Sequence, residues 1–76
     1  PYDIRVNSVA PTYVRTEFIR PLLEDPYTVR RIEEMTPLGK IAEPGDVAAA
    51  VAFLSSSAAS MITGHTLPVD GGFLAQ

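Results

Sequence analysis

A chain of 76 residues sits at the size where folding hides only about 60% of the surface the unfolded chain exposes, so its core is marginal unless something reinforces it. There is no cysteine, which excludes a disulfide framework and a cysteine-based zinc site as reinforcement. The net charge is −3 and the basic residues Arg5, Arg15, Arg20, Arg30, Arg31 and Lys40 are scattered among acids, a poor footprint for nucleic acid.

The hydrophobic fraction of 46% comes in blocks, as an ordered chain requires. The longest apolar run, residues 47–54, is far short of the roughly 20 residues of a membrane-spanning helix. Residues 1–7 lack the cationic start and apolar run of a signal peptide. The expected setting is cytoplasmic, with no membrane and no nucleic acid as partner.

In chain order, residues 4–10 (IRVNSVA) are rich in β-branched side chains and stop at Pro11, which predicts a strand. Alternation places Ile4, Val6 and Ser8 on one face and Arg5, Asn7 and Val9 on the other. Such a strand suits apolar packing on one side and a polar network near its carboxyl end. Residues 12–15 then form a loop, and Thr16 is the expected N-cap of a helix starting at Glu17 and carrying Phe18, Ile19, Leu22 and Leu23, with Pro21 shortening or kinking it. Asp25 followed by Pro26 starts a second helix to about Met35, with Val29, Ile32 and Met35 on its apolar stripe.

Residues 36–42 are a connector, after which Glu43, Pro44 and Asp46 mark the start of the longest helix. Its stripe is Val47, Val51, Leu54 and Ala58, and its first two turns are apolar elsewhere as well. One side should cover the sheet while small Ala48, Ala49 and Ala52 permit close approach of a second subunit. Thr63 and Gly64 turn the chain into a second strand at residues 65–69, closed by Asp70, Gly71 and Gly72. Pro68 lacks a backbone donor, so this strand belongs at a sheet edge. His65 has no second ligand at a recognisable spacing, so no metal site is expected. Gly71 and Gly72 read as turn geometry.

The order strand, helices, strand predicts an α/β unit with two parallel strands joined by a helical crossover. Two strands are not stable alone, so the rest of the sheet should come from other polypeptide. Ligands of parallel sheets bind beyond the strands' carboxyl ends. That position falls on the loop PTYVRT, residues 11–16, with the free amides of the following helix expected behind it.

Three stretches, IRVNSVAPTYVRTEF, PLGKIAEPGDVAAAVAFLSSSAASMITG and LPVDGG, resemble in order and spacing the last third of a short-chain dehydrogenase/reductase. The resemblance covers essentially the whole chain. It implies the C-terminal part of a Rossmann-type doubly wound parallel sheet, with residues 1–76 as one incomplete segment of a single NAD(P)-binding domain. It further implies NAD or NADP as cofactor, with Pro11 near the nicotinamide ring, Val14 offering its backbone amide and carbonyl to the carboxamide, and Thr16 bonding the carboxamide or a phosphate. Thr12 stands where the family usually has glycine, which implies a different loop path there. Phe18 and Ile19 correspond to the family's mobile substrate flap.

The family's catalytic Tyr-x-x-x-Lys pair is not found: Tyr2, Tyr13 and Tyr27 are followed four residues later by Val6, Glu17 and Arg31. No catalytic residue is therefore expected in this segment, and the general acid/base should come from the remainder of the subunit. The Pro-Thr pair and the ending GGFLAQ resemble the sugar, polyol and sugar-acid dehydrogenases. The implied function is hydride transfer between nicotinamide and a small carbonyl or alcohol substrate, in a homo-oligomer, dimer or tetramer. Two alternatives stand beside it: a 3-oxoacyl carrier-protein reductase, and a catalytically inactive structural module of the same fold.

Overall fold

A computed structural model describes residues 3–75. Strand β1 (Ser8–Pro11) and strand β2 (Thr66–Val69) run parallel, with Ser8 opposite Thr66 and Pro11 opposite Val69. The predicted parallel α/β arrangement is therefore present, but β1 is shorter than residues 4–10. The chain ahead of it bonds to a turn instead of to the ladder: Val6 N–H donates to Thr63 Oγ1 at 3.1 Å, and Gly64 N–H donates to the Val6 carbonyl at 2.8 Å. Ser8 N–H then donates to the His65 carbonyl at 3.0 Å and opens the ladder. Because residues of a parallel strand bond alternately to either side, this register turns Thr66 and Pro68 toward the outer margin of β2. The proline ring therefore lies where no donor to β1 is needed.

The polar network expected near the carboxyl end of β1 lies ahead of its amino end. Arg5 Nη1 donates to the carbonyls of Leu54 at 2.9 Å and Ile62 at 3.1 Å, and Nη2 to that of Ser56 at 3.3 Å. Asn7 Nδ2 donates to Ile62 O while its Oδ1 accepts from His65 N–H, each at 3.0 Å. A helix end has unpaired carbonyls, and the guanidinium fork supplies several donors at once. That draws Arg5 toward the end of the long helix and leaves Ile4 and Val6, on the opposite face, 74% and 70% exposed.

Helix α1 (Arg20–Leu23) departs from prediction. Thr16 does not cap it; the N-cap is Ile19 and no side chain bonds there. A helix starting at Glu17 would need Pro21 to donate to the Glu17 carbonyl, and proline has no proton to give. The chain makes a turn instead, with Arg20 N–H donating to Glu17 O at 3.2 Å, and Pro21 falls in the first helical turn where a missing donor costs nothing.

Helix α2 (Pro26–Met35) begins as predicted: Asp25 Oδ1 accepts from Tyr27 N–H at 3.1 Å and Oδ2 from the Thr28 hydroxyl at 2.9 Å. Ile32 is buried, with Val29 and Met35 half-buried beside it. Helix α3 (Pro44–Ser55) also starts where expected, with Glu43 N–H donating to Asp46 Oδ2 at 2.8 Å. It packs on both strands.

The predicted α3 stripe is only half right. Leu54 is buried and Val47 half-buried, but Val51 is 47% exposed. Ala58 is exposed while Ala59 is buried. The helical period stops at Ser55 because Ser56 adopts an extended conformation and turns its hydroxyl back to the Phe53 carbonyl at 2.7 Å, a competition typical of serine. A short 3-10 turn, Ser57–Ala59, then resets which alanine points inward.

Among the described residues the buried apolar ones are Ile32, Ile41, Leu54 and Ala59, a thin core. The radius of gyration is 14.8 Å, against about 11 Å for a compact domain of this length. Among the described residues no helix is long and apolar enough to cross a membrane.

Candidate functional site

The loop of residues 12–16 leaves β1 at its carboxyl end, beside the carboxyl end of β2, at the rim where parallel sheets bind ligands. Thr12 and Tyr13 line a cavity of about 390 Å³ whose floor includes Ile32, Ile41 and Val69. Three of its other polar side chains are already engaged, while Lys40 also lines it. Asp46 caps α3, the Thr36 hydroxyl donates to Ile32 O at 2.8 Å, and the Asp70 carboxylate accepts from Gly72 and Leu74 N–H, each at 3.0 Å.

Val14 is half-buried and forms a parallel bridge with Ala42. Within that bridge Arg15 is the donor, its N–H reaching the Ala42 carbonyl at 2.8 Å. Backbone alternation then turns Val14's own N–H and C=O to the opposite side, where they meet no partner among the described residues. Thr16 lies on a separate open groove of about 530 Å³ with Arg15, Arg20 and Pro44.

The structure thus gathers Pro11, Thr12, Val14 and Thr16 on one loop at the rim, but not in one cavity. Pro11 ends β1. Of the two residues expected to form a flap, Phe18 is 94% exposed and Ile19 is half-buried at the start of α1. The helix amides expected directly behind the loop are displaced, since α1 starts only at Arg20. No group of three or more His, Asp or Glu side chains suited to a metal occurs among the described residues.

Sequence reasoning missed the fastening of this loop. Connector residues 36–42 are tied at one end to the turn after β2, where Leu38 N–H donates to Gly71 O at 3.0 Å, and at the other to Arg15 through Ala42. Arg15 Nε also donates to Glu43 Oε1 at 3.0 Å. Asp70 ahead of two glycines was a readable signal for a side-chain-capped turn; Arg15 and Glu43 had no local signal.

The profile of a family described as Enoyl-(Acyl carrier protein) reductase matches residues 1–74. This chain belongs to that family, among the short-chain dehydrogenases/reductases. One short-chain dehydrogenase/reductase relative, L-xylulose reductase of Mus musculus, is 48% identical over 75 residues, covering 99% of this chain and 31% of that protein. A tropinone reductase homolog of Arabidopsis thaliana is 46% identical over 71 residues, covering 93% of this chain and 27% of that protein. Among solved structures, a gluconate 5-dehydrogenase from Burkholderia cenocepacia in complex with NADP and tartrate is similar at a TM-score of 0.88 with 34% identity, covering 96% of this chain and 29% of that one. The chain therefore spans less than a third of the length of these relatives.

Proposed function

We propose that this chain is the nicotinamide-side segment of an NAD(P)-dependent oxidoreductase acting on a carbonyl or alcohol of a sugar, polyol or sugar acid. The observation that carries the reading is the pair of backbone groups on Val14 that meet no partner among the described residues, at the carboxyl rim of two parallel strands and two residues from the Thr16 hydroxyl. A carboxamide offers two donors and an acceptor, so a backbone C=O, a backbone N–H and a hydroxyl complement it. The bound dinucleotide supplies hydride exchange with the substrate carbon. Val14 and Thr16 fix which ring face is presented, and Pro11 ends the strand so that the loop opens toward the ring. Phe18 and Ile19 form the movable cover that excludes water from the substrate.

Catalytic Ser, Tyr and Lys belong, in this reading, to the remainder of the subunit. The α3 face bearing Ala48, Ala49, Val51, Ala52 and Phe53, exposed here, meets a second copy in a cytoplasmic dimer or tetramer. Relatives acting on L-xylulose and gluconate favour the sugar-type substrate.

The family description favours a second reading, reduction of an acyl chain carried on a carrier protein. A panel of pentuloses, polyols, aldonates and acyl thioesters, assayed with the complete enzyme by nicotinamide absorbance, separates the two. Turnover confined to the sugar-type compounds is expected. Turnover confined to the thioesters would overturn the first reading, and turnover of none would overturn both.

A further inference from the structure

The loop that carries Val14 is not held by β1 alone. Arg15, the residue after Val14, grips the adjoining pair Ala42 and Glu43 twice: through its backbone N–H to the Ala42 carbonyl at 2.8 Å, and through Nε to the Glu43 carboxylate at 3.0 Å. Glu43 is a firm anchor. It is the N-cap of the twelve-residue α3, its own N–H is bonded to Asp46 Oδ2, Pro44 fixes the next backbone angle, and α3 packs on both strands.

Arg15 also stands between the two residues assigned to the carboxamide. With its backbone and side chain both drawn to one side, the alternating Val14 N–H and C=O are presented to the other. We infer that the Arg15–Glu43 ion pair is a positioning latch, which holds the loop so that Val14 meets the nicotinamide carboxamide without either charged residue touching the cofactor. This rests on the nicotinamide-side reading of the loop.

Both partners are substantially exposed, at 49% and 59% of their side chains, so the latch has the strength of a surface pair and is screened by salt. Its effect is correspondingly a few-fold change, confined to the nicotinamide end of the dinucleotide.

The test uses the complete enzyme with Arg15→Gln, Glu43→Gln and the double variant, glutamine being isosteric at position 43 and an uncharged, shorter polar side chain at position 15. Dissociation constants are measured for NAD(P)H and for ADP-ribose or its 2′-phosphate, which lack nicotinamide, together with the melting temperature. Each single variant should weaken NAD(P)H by about two- to fivefold and leave the nicotinamide-free ligand unchanged. The double variant should be no worse than either single. In about 1 M salt, where screening acts over about 3 Å, the wild type should approach the variants.

Equal weakening of both ligands, additive losses in the double variant, or no change in NAD(P)H affinity would each overturn the latch. A parallel Thr16→Val variant separates this from failure of the underlying reading. If Thr16→Val weakens NAD(P)H while Arg15→Gln does not, the latch alone falls; if both are silent, the nicotinamide-side loop falls with it.

Discussion

Gly71 and Thr36 lie so close that a Cβ on the glycine would stand 2.6 Å from Thr36 Cγ2. The same glycine has φ of 62°, and its carbonyl accepts from Leu38 N–H. Thr36 cannot easily give way, because it is buried and its hydroxyl is bonded to Ile32 O. Gly71→Ala should therefore destabilise the complete protein by about 2 to 5 kcal/mol, left-handed strain plus an overpacked contact. Gly39→Ala, with similar φ but open space around it, should cost only about 1 to 2 kcal/mol. Urea midpoints of the two variants check the difference.

Gly45 lies in the first turn of α3, and a Cβ there would meet nothing within 4 Å. Its φ is not in the left-handed range, so alanine fits without strain. Gly45→Ala should stabilise by about 0.5 to 1 kcal/mol through the smaller entropy lost on folding, read as a raised melting temperature.

Asp25 satisfies an orphan amide at the start of α2 and holds the Thr28 hydroxyl as well. Asp25→Ala should cost about 0.5 to 2 kcal/mol, with Asp25→Asn retaining most of the cap. Hydrogen exchange should show the loss concentrated in the first turn of α2.

Thr16→Val removes a hydroxyl of nearly equal volume from the rim loop. In the complete enzyme it should weaken NAD(P)H binding by about 1 to 3 kcal/mol, the cost of leaving a buried carboxamide group unpaired. An unchanged dissociation constant by fluorescence titration counts against the role.

The isolated 76-residue chain should aggregate or remain unfolded, since the two paired strands and four buried apolar residues among the described residues are too little to offset chain entropy. A cooperative thermal melt by circular dichroism would contradict this.

What the sequence disclosed was whatever its causes placed within a few residues. Asp25 with Pro26, and Glu43 with Pro44 and Asp46, each announce a helix start because cap, proline and first-turn acid act inside one turn. Thr16 misled because its capping pattern was intact while the obstacle, Pro21, lay five residues on. The stripe failed at Ala58 because at Ser56 a hydroxyl captured a carbonyl and ended the helical period. Parallel pairing and the position of the rim loop followed from element order alone. Arg5 and Leu54 are 49 positions apart and Arg15 and Glu43 are 28 apart, so no spacing rule could join them; only the folded path does.

Pro68 gives the outer margin of β2 a directional consequence. An incoming peptide that tried to extend the sheet there would find a carbon ring where it needed a second proton donor after Thr66, so the template for the hydrogen-bonded growth that seeds fibrils is interrupted on that flank. Incompletely assembled copies are left vulnerable along β1, where Val9 keeps its amide available. Shielding that flank early during synthesis would matter more to the survival of the polypeptide than any protection of its C-terminal strand.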